Sequence, residues 1–174
     1  MDNRPIGVFD SGVGGLTVVN ALVQSISSET IYYVGDTARV PYGNKSRERI
    51  QQYSEEIIDW LIKKDCKMVI VACNTASSLA IDYLKKKFSL PIIGVIDPVV
   101  QLAISRTKSQ SIGVIGTRAT IQSNAYGEKL KFIRPKINIF NQPCPLFVPL
   151  VEEGLTKGPI TKSIVESYLS HFKD

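Results

Sequence analysis

Short apolar runs along this chain alternate with stretches in which apolar residues recur every three or four positions. The first runs are Ile6-Gly7-Val8-Phe9-Asp10, Ile31-Tyr32-Tyr33-Val34, Met68-Val69-Ile70-Val71-Ala72 and Pro91-Ile92-Ile93-Gly94-Val95-Ile96. Short continuous runs of this kind read as strands covered on both faces, which is the setting of a parallel sheet. Between them lie Leu16, Val19, Leu22, Val23 and Ile26, then Ile50, Tyr53, Ile57, Ile58 and Leu61, then Ala76, Leu79, Ala80, Tyr83 and Leu84. Their spacing predicts helices with one apolar stripe. Ser46 stands where the second helix needs an N-cap, and Asn74 and Thr75 suit the start of the third. Strand and helix in strict alternation predict an α/β fold with mainly parallel sheets flanked by helices.

A second series begins where Asp97-Pro98 ends the fourth strand. It predicts a helix from Val99 to Ser105, a strand over Ser111 to Gly116 that stops at Thr117, and a helix from Ala119 to about Leu130. A strand at Ile137 to Phe140 follows. Pro143, Pro145 and Pro149 interrupt the next stretch, and Pro159 opens a last helix through Ile164, Val165 and Leu169. The tripeptide Ile-Gly-Val occurs at Ile6 and again at Ile112, which hints at two similar halves. The expected division is a first α/β domain over residues 1–96 and a second over 97–174.

Composition narrows the functional classes. The chain has 174 residues, 44% hydrophobic and 21% charged, within the range of a globular protein. Its apolar runs fall short of the roughly 20 residues that span a bilayer, so no membrane partner is expected. Met1 to Pro5 leads directly into the first strand without a secretory apolar region, and the expected compartment is the cytoplasm. Cys66, Cys73 and Cys144 are an odd, unevenly spaced set that suggests neither a disulfide framework nor a zinc site. The single histidine, His171, leaves little material for a His-dependent dyad. The net charge of +5 comes largely from Lys63-Lys64, Lys85-Lys86-Lys87 and the stretch from Lys129 to Lys136, near predicted helix ends. No continuous basic face with interleaved aromatics emerges, so nucleic acid is not an expected partner. A mild positive field suits a small anionic substrate.

Two stretches carry candidate chemistry. Cys73 falls at the carboxyl end of the third strand and the amino end of a helix, the sheet edge where open α/β folds bind ligands. A helix N-terminus favours a thiolate over a thiol. Taken alone, the stretch fits a packed structural cysteine equally well. The first strand ends at Asp10 and is followed by Ser11-Gly12-Val13-Gly14-Gly15. Gly12 and Gly14 begin a dinucleotide fingerprint, but Thr17 holds the third glycine position, and no Gly-Lys-Ser/Thr follows for a P-loop. What remains is a loop whose N–H groups could hold an anion beside Asp10 and Ser11, or a tight turn that needs small residues. The second strand ends at Gly35-Asp36, and its loop contains Arg39 and Pro41-Tyr42-Gly43.

Gly7 to Leu16, Gly35-Asp36-Thr37 with Pro41-Tyr42-Gly43, and Ala72-Cys73-Asn74-Thr75-Ala76 together resemble the glutamate racemase family. Gly116-Thr117-Arg118-Ala119-Thr120 and Cys144 to Glu152 continue the likeness in the same order. The Asp97-Pro98-Val99 turn follows the family pattern less closely. The resemblance implies two similar α/β domains with substrate between them, and cofactor-independent racemisation of glutamate that supplies D-glutamate for peptidoglycan and thus for cell wall and cell shape. In that family one cysteine thiolate removes the α-proton and a second, opposing thiol returns one from the other face. Two groups are needed because a lone base that returns its own proton gives retention. By resemblance Cys73 is the first catalytic cysteine and serves D-glutamate, and Asp10 is its accompanying acid. Asp10, Ser11, Pro41, Tyr42, Gly43, Asn74, Thr75, Thr117 and Thr120 correspond to substrate-binding positions, with Glu152 an acidic residue of the second domain. No metal or cofactor is implied, and family members are often homodimers. Tyr42 and Thr120 also suit loop packing and a helix cap.

The family's second cysteine lies in a Gly-Cys-Thr-His segment that would follow Asp174. Cys144, between two prolines, matches a different motif; Cys66 and His171 match no catalytic position. The resemblance thus implies an incomplete second domain, a missing closing segment, and a 174-residue chain that lacks half of its catalytic pair. The alternatives are a non-catalytic remnant that binds an acidic amino acid or a partner protein, and a one-cysteine relative within the wider superfamily.

Overall fold

The computed structural model describes residues 2–172, and these divide between Ile96 and Asp97 into two compact units. The first unit is a four-stranded parallel sheet, β1 (Ile6–Asp10), β2 (Ile31–Gly35), β3 (Met68–Val71) and β4 (Ile92–Gly94), in the order β2-β1-β3-β4. Its helices are α1 (Leu16–Ser25), α2 (Arg47–Lys63), α3 (Asn74–Leu79) and α4 (Ile81–Lys87). The order places the carboxyl ends of β1 and β3 side by side, so the glycine loop after β1 and the cysteine after β3 become neighbours.

Period-two alternation gives each strand two packed faces. Ile6, Val8 and Ala72 pack on one side with Val18, Val19, Leu22 and Ile26, and with Ile31, Tyr33, Met68 and Ile70. On the other side Gly7 leaves room for Leu61 of α2; a Cβ there would lie 2.9 Å from Leu61 Cδ1. The Ser46 hydroxyl caps α2, accepting from Arg49 N–H at 3.4 Å, as the sequence leads one to expect. Val19, Leu22 and Ile26 of the predicted α1 stripe pack inward, whereas Leu16 and Val23 are exposed and Val18 takes part in the core instead.

The third helix differs more. Cys73 itself is the N-cap in place of Asn74 or Thr75, and the predicted single helix breaks at Ala80 (φ −117°, ψ −19°) into α3 and α4. The break separates a short helix anchored at the sheet edge from one that runs back along α2.

After the first residue of α5 (Ile96–Arg106), the second unit contains the rest of that helix, β5 (Ser111–Gly116), α6 (Arg118–Gln122), α7 (Ala125–Ile133), β6 (Asn138–Pro143), α8 (Phe147–Glu152) and α9 (Pro159–Leu169). β5 and β6 pair in parallel from Ser111↔Asn138 to Gly116↔Pro143. Asp97-Pro98 opens α5 and does not end β4, because proline tolerates the first helical turn, where no N–H partner is needed. Asn124 adopts a left-handed conformation (φ 54°) and divides the predicted 119–130 helix into α6 and α7. β6 runs through Pro143, past the expected end at Phe140. Among the described residues, no helix is long and apolar enough to cross a membrane.

Candidate active site

The first unit gathers its candidates at the carboxyl edge of the sheet. The Cys73 side chain is buried, 5% exposed, and Ala76 N–H donates to Sγ at 3.4 Å. The Cys73 thiol donates to Ser11 Oγ at 3.5 Å, and the Ser11 N–H also interacts with the sulfur. Three donors therefore become available to a thiolate at this position, since the Ser11 hydroxyl rotates to donate once the thiol proton leaves. Burial and the nearby Asp10 carboxylate nonetheless push the thiol above the usual cysteine value, more strongly than the Ser11 and Ala76 contacts pull it down. The sequence expectation that the helix terminus would favour a thiolate thus holds locally and loses overall: the resting group is a thiol.

Asp10 has a different job from the one the glycine loop suggests. Its Oδ2 accepts from Gly15 N–H at 2.8 Å, so this loop N–H is occupied by the protein's own carboxylate and is not offered to an external anion. Gly15 must be glycine: a Cβ would lie 2.6 Å from Asp10 Cβ and 3.1 Å from both Ala72 Cβ and Tyr33 Cε2. Gly35 is equally constrained, since its Cβ would meet the Gly12 carbonyl oxygen at 2.6 Å. Tyr33 donates its hydroxyl to that same carbonyl at 2.8 Å. Burial and the fields of Asp10 and Cys73 push the Tyr33 phenol up to about 12.

The Pro41-Tyr42-Gly43 segment enters through a cis Val40–Pro41 peptide and a 3₁₀ turn at Tyr42–Asn44 that packs against α3. Tyr42, 1% exposed, donates to Asp36 Oδ2 at 2.5 Å. Asp36 also receives Arg39 Nε at 2.7 Å, and Arg39 reaches Glu56 at 2.5 Å while lying 4.2 Å over the Tyr53 ring. Burial and the Asp36 carboxylate raise the Tyr42 phenol, which also senses Cys73. Thr75 is buried and Asn74 exposed in the first turn of α3. The sequence reading missed Tyr33, and it left Asp36 and Arg39 without a role. A carboxylate closing β2 on the same edge as Asp10, with an arginine three residues on, was the available signal.

A solvent-open groove of about 480 Å³ lies along β2 and α2, lined by Val34, Gly35, Arg39, Glu56, Ile57 and Trp60 together with Tyr33. It meets the cysteine edge through Tyr33, Gly35 and Arg39 but does not include Cys73, Asp10 or Ser11. The buried titratable groups Cys73, Asp10, Tyr42 and Asp36 converge at the sheet edge and not in this groove.

The remaining candidates lie in the second unit. Thr117 follows β5 and caps α6, accepting from Thr120 N–H at 3.2 Å, with the two hydroxyls 3.0 Å apart. Glu152 closes α8 and is exposed. Cys144 is packed at the end of β6 and donates its thiol to Gln142 O at 3.6 Å; Cys66 is likewise buried, after α2. Burial pushes both thiols up. Among the described residues, no group of three or more His, Cys, Asp or Glu could hold a metal.

Comparison with known proteins gives this geometry a family. The model for "Asp/Glu/Hydantoin racemase" matches residues 6–138. The chain belongs to that family. A glutamate racemase of Aquifex aeolicus is 50% identical over 97% of this chain and 65% of its own length. One from Geobacter metallireducens is 46% identical over 98% of this chain and 63% of its own. Among solved structures, a glutamate racemase of Francisella tularensis in complex with D-glutamate superposes with a TM-score of 0.93 at 44% identity, covering all of this chain and 65% of that one. The chain thus spans about 65% of the length of these relatives, and the α/β architecture with parallel sheets is the one they share.

Proposed function

We propose that this chain carries one half of a glutamate racemase's catalytic pair, with Cys73 as the base on one face of the substrate α-carbon. The observation that carries the reading is the buried Cys73 sulfur, held by Ser11 and Ala76 at a sheet edge beside Asp10. A neutral thiol in a dry site is poised rather than active. Ionising it demands a compensating positive charge, and the ammonium of an amino acid seated near Asp10 supplies one. The thiol proton leaves to solvent as the substrate binds; the thiolate then takes the α-proton, the C–H electron pair stays on the substrate carbon, and the same or an opposing thiol returns a proton. Ser11, Asn74, Thr75 and the Pro41-Tyr42-Gly43 segment are proposed to orient the substrate. No cofactor enters this scheme.

Cys66 stands before β3, at the opposite end of the strand from Cys73, and Cys144 lies in the second unit with its thiol on Gln142 O, so the Asp10–Ser11 edge holds one candidate thiol base. The expected chemistry of this chain on its own is proton exchange with retention on D-glutamate, with inversion requiring an opposing acid. The relatives' names and the D-glutamate complex support glutamate as the substrate. Cytoplasmic location, a role in cell-wall precursor supply and homodimer formation belong to the same proposal.

Substrate protection tests the reading. D-glutamate should slow alkylation of Cys73 by iodoacetamide, followed by peptide mass spectrometry, while D-aspartate and L-leucine should protect less. Equal alkylation with and without D-glutamate would remove the Cys73 edge as the substrate site.

A further inference from the structure

We propose that Tyr33, on the edge strand β2, is a positioning residue that holds Ser11 against Cys73. The inference rests on the functional reading of Cys73 above, although its structural part can be tested separately. Tyr33 pairs with Val8 in the sheet, and its ring packs in the core formed with α1. Its hydroxyl projects past that core to the Gly12 carbonyl, a 2.8 Å bond that joins positions 21 residues apart. Two close approaches reinforce the bond. Gly15 lies where any Cβ would be 3.1 Å from the Tyr33 ring, and the Gly35 backbone lies against the Gly12 carbonyl. The loop between Asp10 and Gly15 is thus closed at one end by the Asp10–Gly15 hydrogen bond and pressed onto β2 in its middle.

Ser11 is the residue between those two restraints. Both its hydroxyl and its N–H address the Cys73 sulfur. Gly12 follows directly, so the peptide that Tyr33 fixes by its oxygen, Gly12–Val13, lies one residue beyond Ser11. Glycines on both sides of Val13 would otherwise leave this loop free to move. A tyrosine reaching across from an edge strand restores the order that the glycine composition gives away. The groups facing Cys73 are Asp10 from β1, Tyr33 from β2 and Tyr42 from the turn before α2; Tyr33 and Tyr42 are neutral near pH 8.

The test is Tyr33→Phe, which keeps the ring in the core and removes only the hydroxyl. Tyr83→Phe is the control, because it deletes a tyrosine hydroxyl bonded to Glu55 at 2.6 Å, away from the sheet edge. Chains labelled with ¹³Cβ cysteine would be titrated by NMR, with Cys66 and Cys144 as internal references. In Tyr33→Phe the Cys73 midpoint should rise by about half a pH unit, roughly a threefold loss of thiolate at fixed pH, because the Ser11 grip loosens. Cys66, Cys144 and the Tyr83→Phe chain should not move. A Cys73 midpoint that is unchanged or lowered in Tyr33→Phe overturns the proposal. A purely structural tyrosine would lower the unfolding midpoint of both variants and leave the Cys73 titration alone. Parallel α-proton exchange with D-glutamate separates the two claims. If the parent chain shows no exchange but the Cys73 midpoint still rises, Tyr33 keeps its role and the racemase reading fails. If the parent exchanges and Tyr33→Phe matches it in rate and midpoint, Tyr33 alone is wrong.

Discussion

Replacing Ser11 with alanine isolates the contact on which the chemistry of Cys73 depends. In the resting site the thiol donates to Ser11 Oγ at 3.5 Å, and after ionisation the hydroxyl turns and donates to the sulfur. The variant removes a neutral hydrogen bond from the thiol form, worth about 1 kcal/mol, and a charge-assisted one from the thiolate, worth about 1.5–3 kcal/mol. The difference, about 1 kcal/mol, corresponds to a rise of roughly 0.7 pH units in the Cys73 midpoint at 1.36 kcal/mol per unit. The Ser11 and Ala76 N–H groups stay in place, so the thiolate is weakened and not abolished. The assay is the pH profile of Cys73 alkylation, read by mass spectrometry of its peptide. The profile's midpoint reports ionisation, while any change in access alters only the plateau. Asp10→Asn is the companion variant of opposite sign: Asn can still accept from Gly15 N–H, but the like charge is gone, so the midpoint should fall. A Ser11→Ala midpoint that stays put or falls would refute the assignment of Ser11 as a thiolate donor.

Three further outcomes follow from the same contacts. Gly35→Ala places a Cβ 2.6 Å from the Gly12 carbonyl oxygen, a backbone clash expected to cost about 1–3 kcal/mol, visible as a fall in the urea midpoint at unchanged m-value. Asp36→Asn keeps an acceptor for Tyr42 but removes the charge that pairs with Arg39, which retains only Glu56. A loss of about 1–2 kcal/mol is expected in denaturant unfolding, well below a fully buried pair because Arg39 is partly exposed. Alkaline pH should destabilise the first unit. Cys73, Tyr33 and Tyr42 bind their protons more tightly folded than unfolded, so this stability is complete below the unfolded values and is lost as pH climbs past 9 toward the folded ones, about 12 for Tyr33. Urea midpoints measured from pH 8 to 11 should fall steadily, and Cys73→Ser should flatten the fall between pH 9 and 10.

Much of the fold was legible because the signals were local. A strand covered on both faces leaves a continuous apolar run, and β1 and β3 could be read from Ile6 to Phe9 and from Met68 to Val71. The Ser46 cap and the Pro159 start were equally local. Errors arose where tertiary contact outweighed local preference. Asp97-Pro98 looked like a strand end, yet proline fits the first turn of α5. Asn124 carries a left-handed turn that no periodicity reveals, and the capping role went to Cys73 although Asn74 and Thr75 are the better cap formers in general. At the site, Asp10, Ser11 and Cys73 were visible as residues at strand ends, since a parallel sheet brings such ends to one edge. Their mutual restraint was not visible. That Asp10 occupies Gly15 N–H, or that Tyr33 reaches Gly12, depends on the order β2-β1-β3, which no stretch of sequence states alone. The ionisation of Cys73 was misjudged for a related reason: a helix terminus can be read from sequence, whereas burial beside a carboxylate is a property of the assembled edge.

The central claim is that Cys73 is a working base on one face of the substrate carbon. Separate incubation of D-glutamate and L-glutamate with the chain in D₂O, followed by NMR for α-deuteration and by chiral analysis for inversion, tests it most directly. The account predicts deuterium uptake by D-glutamate with retained configuration, lost in Cys73→Ala, and no interconversion. Uptake that persists without Cys73 contradicts the assignment of the base, and interconversion of both enantiomers contradicts the claim that these residues supply a single thiol.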